Sequence, residues 1–279
     1  MIYRPKDLQD FLRREGISPK KGLSQNFLID QNVIKKMIDI LHLEPGDTVL
    51  EIGPGPGAFT DFLAKIPHIN ILAIEKDLTL THLLEEKYRN HPRVRIVNSD
   101  ILACELSTLI PADQKVKVIS NLPFSITAPA LAKCLPLQDQ IHSMTLILQD
   151  EVAKRICANP GSKQMSSLTL FVQFYSEVHY ICSVSRRSFF PVPKVEAAII
   201  HFKLRPPPQM INAENFFSFV RKGYQQRRKM LSSSIGKFYG GSGKVKEILS
   251  KCGISPQARP EDLSLTQFMQ FFERAQIEE

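Results

Sequence analysis

Asn121-Leu122-Pro123-Phe124 follows directly on the apolar run Val116-Lys117-Val118-Ile119-Ser120. Such a run reads as a buried strand, and open α/β sheets bind ligands at the C-terminal ends of their strands. The quartet supplies a side-chain amide, a backbone carbonyl ahead of a residue without an N–H, and a flat ring. That set suits an exocyclic amine on an aromatic base. The amine's lone pair is delocalised into the base, so two acceptors, the Asn121 side-chain carbonyl and the Leu122 backbone carbonyl, must draw the nitrogen toward tetrahedral geometry. Pro123 keeps the turn rigid, and Phe124 offers a face on which a flipped base stacks in line with an incoming methyl group. A nucleophilic Cys or Ser is unnecessary, and so is a general base, because the methylated amine is acidic enough to lose its proton to water. The plainer reading is a turn that closes a buried strand.

A second segment bears on what would deliver the methyl. The apolar run Thr48 to Ile52 enters a loop containing Gly53, Gly55 and Gly57, with a helix expected from about Ala58. Three glycines at a strand-to-helix corner let backbone approach a ligand closely. The spacing also fits a loose dinucleotide fingerprint, with Glu75 placed at the end of the next strand to hold ribose hydroxyls. Pro54 and Pro56 remove two donors that a pyrophosphate would use, and Glu51 repels an anion. A ligand without phosphates fits better, and S-adenosylmethionine is one: its ribose on Glu75, its adenine amine on Asp100, its sulfonium near carbonyls and aromatic faces. For Glu75 and Asp100 the bland alternative is a solvated turn acid.

The elements that must position these residues alternate along the chain. Strand-like runs at Thr48–Ile52, Asn70–Ile74, Val94–Val97, Val116–Ser120 and Met144–Leu148 enclose segments of helical spacing, which predicts a mainly parallel sheet covered by helices. Two further runs, Glu177–Val184 and Val195–Leu204, predict an antiparallel addition, an order that suits a class I methyltransferase. Pro206-Pro207-Pro208 then breaks regular structure ahead of a helical pattern. The expected organisation is a basic N-terminal arm over residues 1–30, a Rossmann-like domain over 31–205 and a smaller all-α domain over 206–279.

Composition narrows the partners. The 279 residues carry 36 Lys and Arg against 28 Asp and Glu, a net charge of +8 that favours a polyanion. Arg4, Lys6, Arg13, Arg14, Lys20 and Lys21 crowd the arm, and Arg221, Lys222, Arg227, Arg228 and Lys229 crowd a helical segment; both clusters suit RNA phosphates, or simply a solvated helix face. Five scattered cysteines and seven dispersed histidines predict reduced thiols and no metal site. Without an apolar leader or a membrane-length apolar run, a cytoplasmic protein is expected, with no membrane partner.

The chain resembles the small-subunit ribosomal RNA adenine N6,N6-dimethyltransferases. The likeness runs through Leu23-Ser24-Gln25-Asn26-Phe27-Leu28, Glu51 to Gly57, Glu75-Lys76-Asp77, Asn98-Ser99-Asp100, Asn121 to Phe124, Phe190 to Val195, Arg227 to Leu231 and Arg259 to Ser264. It implies a class I S-adenosylmethionine-dependent fold, a helical rRNA-binding C-terminal domain, and dimethylation of two adjacent adenines in the 3′-terminal hairpin of 16S rRNA during small-subunit biogenesis. By that resemblance Asn26, Leu28, Gly53, Glu75, Asp100 and Asn121 contact the cofactor, and Phe124 and Phe190 stack the target base. Phe124 stands where many relatives carry tyrosine, keeping the stack without a hydroxyl, and Glu196-Ala197 replaces a frequent Asp-Ser. A hinge at Lys20-Lys21-Gly22 would let Gln25 to Leu28 act as a flexible arm over the cofactor, and the protein is expected to be a monomer. Three rivals stay open: a resistance-type methyltransferase of large-subunit rRNA, a non-catalytic RNA-binding assembly factor, and a nicotinamide dehydrogenase.

Overall fold

The computed structural model describes residues 5–20, 22, 25–111, 114–208 and 211–277. In chain order it contains α1 (Pro5–Arg14), β1 (Phe27–Leu28), α2 (Gln31–Ile40), β2 (Thr48–Ile52), α3 (Thr60–Leu63), β3 (Asn70–Glu75), α4 (Leu78–Tyr88), β4 (Val94–Asn98), β5 (Val116–Asn121) and α5 (Thr127–Cys134). There follow β6 (Ile141–Gln149), α6 (Asp150–Ile156), α7 (Ser167–Tyr175), β7 (Ser176–Val184), β8 (Phe189–Phe190), β9 (Ala197–Leu204), α8 (Ala213–Tyr224), α9 (Leu231–Ile235), α10 (Ser242–Lys251) and α11 (Leu265–Ile277). The chain forms two compact units: Met1–Ala153 with His179–Leu204, and Lys154–Val178 with Arg205–Glu279.

The first unit is built on a seven-stranded sheet of order β4-β3-β2-β5-β6-β9-β7. Strands β2 to β6 pair in parallel, and β9 runs antiparallel to β6. β2 is buried in all but Thr48, which is why it shows no apolar-polar alternation; Glu51 is its one buried acid. On one face Ile34 and Met37 of α2 and Leu63 of α3 join Val49, Ile71, Ile119, Ile147 and Ile199 in a single core. The strand order reverses at β2, between β3 on one side and β5 on the other. A crevice therefore opens beyond the C-terminal end of β2, where the glycine loop begins.

The segment ahead of α2 is packed, not loose. Leu8 and Leu12 of α1 share a cluster with Ile17, Phe27, Ile29 and Leu80. β1 pairs antiparallel with β8, bringing Phe27 opposite Phe190 and Leu28 opposite Phe189. Asp30 fastens the junction twice: its Oδ1 accepts from Asn32 N at 3.0 Å, capping α2, and its Oδ2 accepts from Ser188 Oγ at 2.9 Å. Gln25 to Leu28, expected to order over the cofactor, is docked in this structure. Arg4, Lys21, Leu23 and Ser24 lie outside the described residues.

The second unit is helical around an aromatic core. Phe171 and Phe174 of α7 meet Phe217 and Phe216 of α8 at 5.0 and 5.5 Å between centroids, and Phe219 meets Phe271 of α11 at 5.0 Å. This packing explains why residues 154–178 group with the C-terminal helices, whereas the sequence suggests one boundary near 205. The apolar face of α7 is completed by rings that lie some forty residues further on, a pairing that local periodicity does not reveal.

Candidate active site

Gly53, Gly55 and Gly57 all take positive φ (67°, 58° and 96°). At Gly55 the requirement is double, because a Cβ there would also lie 3.0 Å from the Phe27 ring. Gly53 N donates to Ile74 O at 2.9 Å and Gly55 N to Glu75 Oε2 at 3.0 Å, so the loop is strapped across the end of β3. The other Glu75 oxygen accepts from Asp77 N at 2.8 Å. Each carboxylate oxygen keeps a further lone pair. Burial pushes the Glu75 carboxyl above its ordinary range, against the opposing pull of these two amides. Burial would raise Asp77 as well, but bonds from Lys20, Gln25 and Thr79 N outweigh it and hold that carboxyl low. Lys20 Nζ reaches Asp77 Oδ1 at 2.8 Å and Gln25 Nε2 reaches Oδ2 at 3.2 Å, joining the N-terminal segment to the glycine loop through two acids.

Glu51 faces the core beneath this loop and is fully buried. Its Oε2 accepts from Thr60 Oγ1 at 2.6 Å, and its Oε1 has no hydrogen-bond partner among the described residues. Burial, opposed by the Thr60 hydrogen bond and assisted by Asp61 and Glu75, pushes its pKa up to about 8. At neutral pH the group is therefore largely uncharged, so the negative charge that the sequence places next to the cofactor loop is mostly absent.

Past β4, Asp100 takes Lys76 Nζ on Oδ2 at 2.8 Å and Leu102 N on Oδ1 at 2.9 Å. The Lys76 ammonium, aided by the Leu102 amide, holds the Asp100 carboxyl below the usual carboxylate range. Lys133 of α5 donates to Leu102 O and Cys104 O, fixing the same turn from behind.

At the end of β5, Ser120 Oγ donates to Ile52 O at 2.5 Å, tying the two strand ends together. The next residue, Asn121, donates from Nδ2 to Asn26 O at 2.7 Å. A carbonyl can only accept, so this bond fixes which end of the amide is which and leaves the Asn121 side-chain oxygen as an acceptor. Leu122 is buried, Pro123 holds an extended ψ of 128°, and Phe124 opens a single 3₁₀ turn that leads into α5.

One cleft collects Asn26, Leu28, Gly53, Glu75, Asp100 and Asn121 to Phe124 along its lining. Phe190 is not among its lining residues; it packs on the α1 cluster, one strand pairing away, beside Phe27. Phe27, Lys76, Ile101 and Ser125 also line the cleft, places that the sequence did not assign to them. Phe27 and Lys76 lie inside the quoted motifs, but only the β1–β8 pairing and the Asp100 ion pair reveal their positions. Glu196 accepts from Arg186 N at 2.7 Å and Ala197 is fully buried at the start of β9, so both are accounted for within the first unit. Arg221, Lys222, Arg227, Arg228 and Lys229 belong to the second unit. Arg227 Nη2 donates to Lys163 O at 2.7 Å and Met165 O at 2.8 Å, so this cation holds a loop of its own unit. Among the described residues no group of three His, Cys, Asp or Glu could hold a metal ion, and no helix is long and apolar enough to cross a membrane.

The sheet order, the glycine loop at its switch point and the acids beyond β3 and β4 define a class I S-adenosylmethionine-dependent methyltransferase. The pattern of the ribosomal RNA adenine dimethylases matches residues 17–276, and the chain belongs to that family. It is 42% identical over 275 residues to the ribosomal RNA small subunit methyltransferase A of Protochlamydia amoebophila strain UWE25, covering 97% of this chain and 96% of that protein. Among solved structures it is similar to the 23S rRNA methyltransferase ErmE, with TM-score 0.70 and 28% identity over 90% of this chain and 100% of that one. A dimethyladenosine transferase from Plasmodium falciparum shares the fold, with TM-score 0.76 and 21% identity over 88% and 95% of the two chains. The protein is thus an S-adenosylmethionine-dependent rRNA adenine dimethyltransferase, which removes the dehydrogenase reading.

Proposed function

We propose that this enzyme dimethylates N6 of two adjacent adenines in the 3′-terminal hairpin of 16S rRNA, within the small ribosomal subunit or its precursor, in the cytoplasm. The observation that carries the reading is the Asn121–Asn26 bond, which presents a fixed acceptor oxygen beside a rigid Pro123 and the Phe124 ring. S-adenosylmethionine supplies the electrophilic methyl group. Glu75 holds the ribose with its remaining lone pairs, Asp100 accepts from the adenine amine, and Gly53, Asn26 and Leu28 border the methionine end. The Asn121 oxygen and the Leu122 carbonyl accept the two hydrogens of the target amine, which frees its lone pair for in-line attack. Phe124 stacks one face of the target base. Phe190 takes the other face if the base draws it toward the cleft, from which it now stands one strand pairing away.

Small-subunit RNA is favoured over large-subunit RNA by the higher identity to small-subunit relatives, 42% against 28% for ErmE. We take the enzyme to act as a monomer, which sedimentation of the purified protein would check. Arg221, Lys222, Arg228 and Lys229 serve phosphates; Arg227 serves mainly its own loop. The test is transfer of labelled methyl groups to unmethylated small and large subunits. Incorporation of up to four methyls per small subunit, and none in large subunits, is expected. Labelling of large subunits alone would move the enzyme to the resistance type, and cofactor binding without transfer to either would favour an assembly factor.

A further inference from the structure

Among the described residues of the second unit, Phe238 stays at the surface beside a cation. Phe238 is 43% exposed, and the Lys222 ammonium stands 4.6 Å from its ring centroid. The next residue, Tyr239, is buried against Phe219 at 5.4 Å. Tyr239 therefore anchors the turn while Phe238 is held outward. The backbone is equally fixed: Phe238 N donates to Ile235 O and Gly241 N to Gly236 O, each at 2.8 Å. Gly236 has no room for a side chain, since a Cβ would fall 2.4 Å from Ser232 O. Lys244 lies back over Gly240, its Cδ 2.8 Å from where a Cβ would stand. Between Lys237 and Lys246 there are three lysines and no acid.

A rigid exposed ring with an ammonium group against it, in a segment rich in lysine, is poorly matched to an apolar protein surface, which would have to desolvate that charge. It is well matched to an unpaired nucleobase, whose π-face stacks on the ring while its phosphates meet the lysines. We propose that Phe238 is a stacking platform for an unpaired nucleotide of the RNA substrate, with Lys222, Lys237 and Lys244 taking the adjacent phosphates. The platform is sequence-tolerant, because every base has a face to stack. It rests on the RNA-directed reading above and adds a contact remote in sequence from the methylating residues.

The test uses the intact protein and a 12-nucleotide oligoadenylate RNA carrying a central 2-aminopurine, with affinity and fluorescence followed at several salt concentrations. Phe238→Ala should weaken binding roughly tenfold and reduce the 2-aminopurine quench, with Phe238→Trp restoring both. Lys237→Met with Lys244→Met should flatten the salt dependence instead. S-adenosylmethionine affinity should be the same in every variant, which checks that they fold. Equal affinity of Phe238→Ala and the unaltered protein, or no binding by the unaltered protein, would overturn the platform. Failure to methylate small subunits, with Phe238-dependent oligonucleotide binding intact, would instead count against the substrate reading alone.

Discussion

At the scale of single residues, the Asn121 amide is oriented by its Nδ2 bond to Asn26 O, which leaves the side-chain oxygen to accept. Asn121 stands at the end of β5, where its motif was expected to close a strand. Replacing Asn121 with Ala should lower methyl transfer by roughly 10²–10³-fold, as expected for one preorganised transition-state contact, while leaving the melting temperature near normal. Turnover close to that of the unaltered enzyme would take Asn121 out of the mechanism. Glu51 was legible only in part: its sequence position marks it as an acid near the loop, but its uncharged state follows from burial that no sequence pattern shows. In the unfolded chain it titrates near the ordinary value of 4.5, and in the folded protein near 8. Its stabilising contribution is thus complete below the unfolded value and is lost as pH rises toward 8. Glu51→Gln should flatten this decline and raise the melting temperature at pH 8, an effect on the order of a few kcal/mol. A stability slope between pH 5 and 8 like that of the unaltered protein would contradict the assignment.

Among elements, the parallel strands were legible because each is a short run rich in apolar and β-branched residues, and their bounds agree with the structure to within a few residues. What stayed hidden depends on partners far along the chain. The two-residue strand Phe27–Leu28 acquires its meaning from Phe189–Phe190, some 160 positions away, and α7 from the rings of α8. The same β1 placement explains the glycine loop's tightness, since the Phe27 ring occupies the space a Gly55 side chain would need. Gly55→Ala should therefore cost about 1–3 kcal/mol through strained backbone and displaced ring. It should also weaken S-adenosylmethionine binding, read by calorimetry; unchanged affinity would mean that the loop yields without disturbing the cleft.

For the whole molecule, the net charge of +8 pointed to a polyanion, but it did not say which cations are available to it. The structure separates them: Arg227 is engaged with two carbonyls, whereas Arg228 and Lys229 are exposed. Replacing Arg228 and Lys229 by Ala should reduce the salt slope of RNA binding by about 0.7–0.9 for every phosphate that the altered protein no longer neutralises. Arg227→Ala should instead destabilise the second unit. An unaltered slope for the first pair would reject their phosphate role.

On the proposed reading this cleft dimethylates two neighbouring adenines near the 3′ end of 16S rRNA. Its most direct test is to incubate the enzyme and S-adenosylmethionine with unmethylated small subunits and map N6,N6-dimethyladenosine by mass spectrometry of rRNA digests, with Asn121→Ala in parallel. Two adjacent dimethylated adenines are expected in the 3′-terminal fragment, nearly absent with the variant. Dimethyladenosine at other positions, or equal product from the variant, would contradict it.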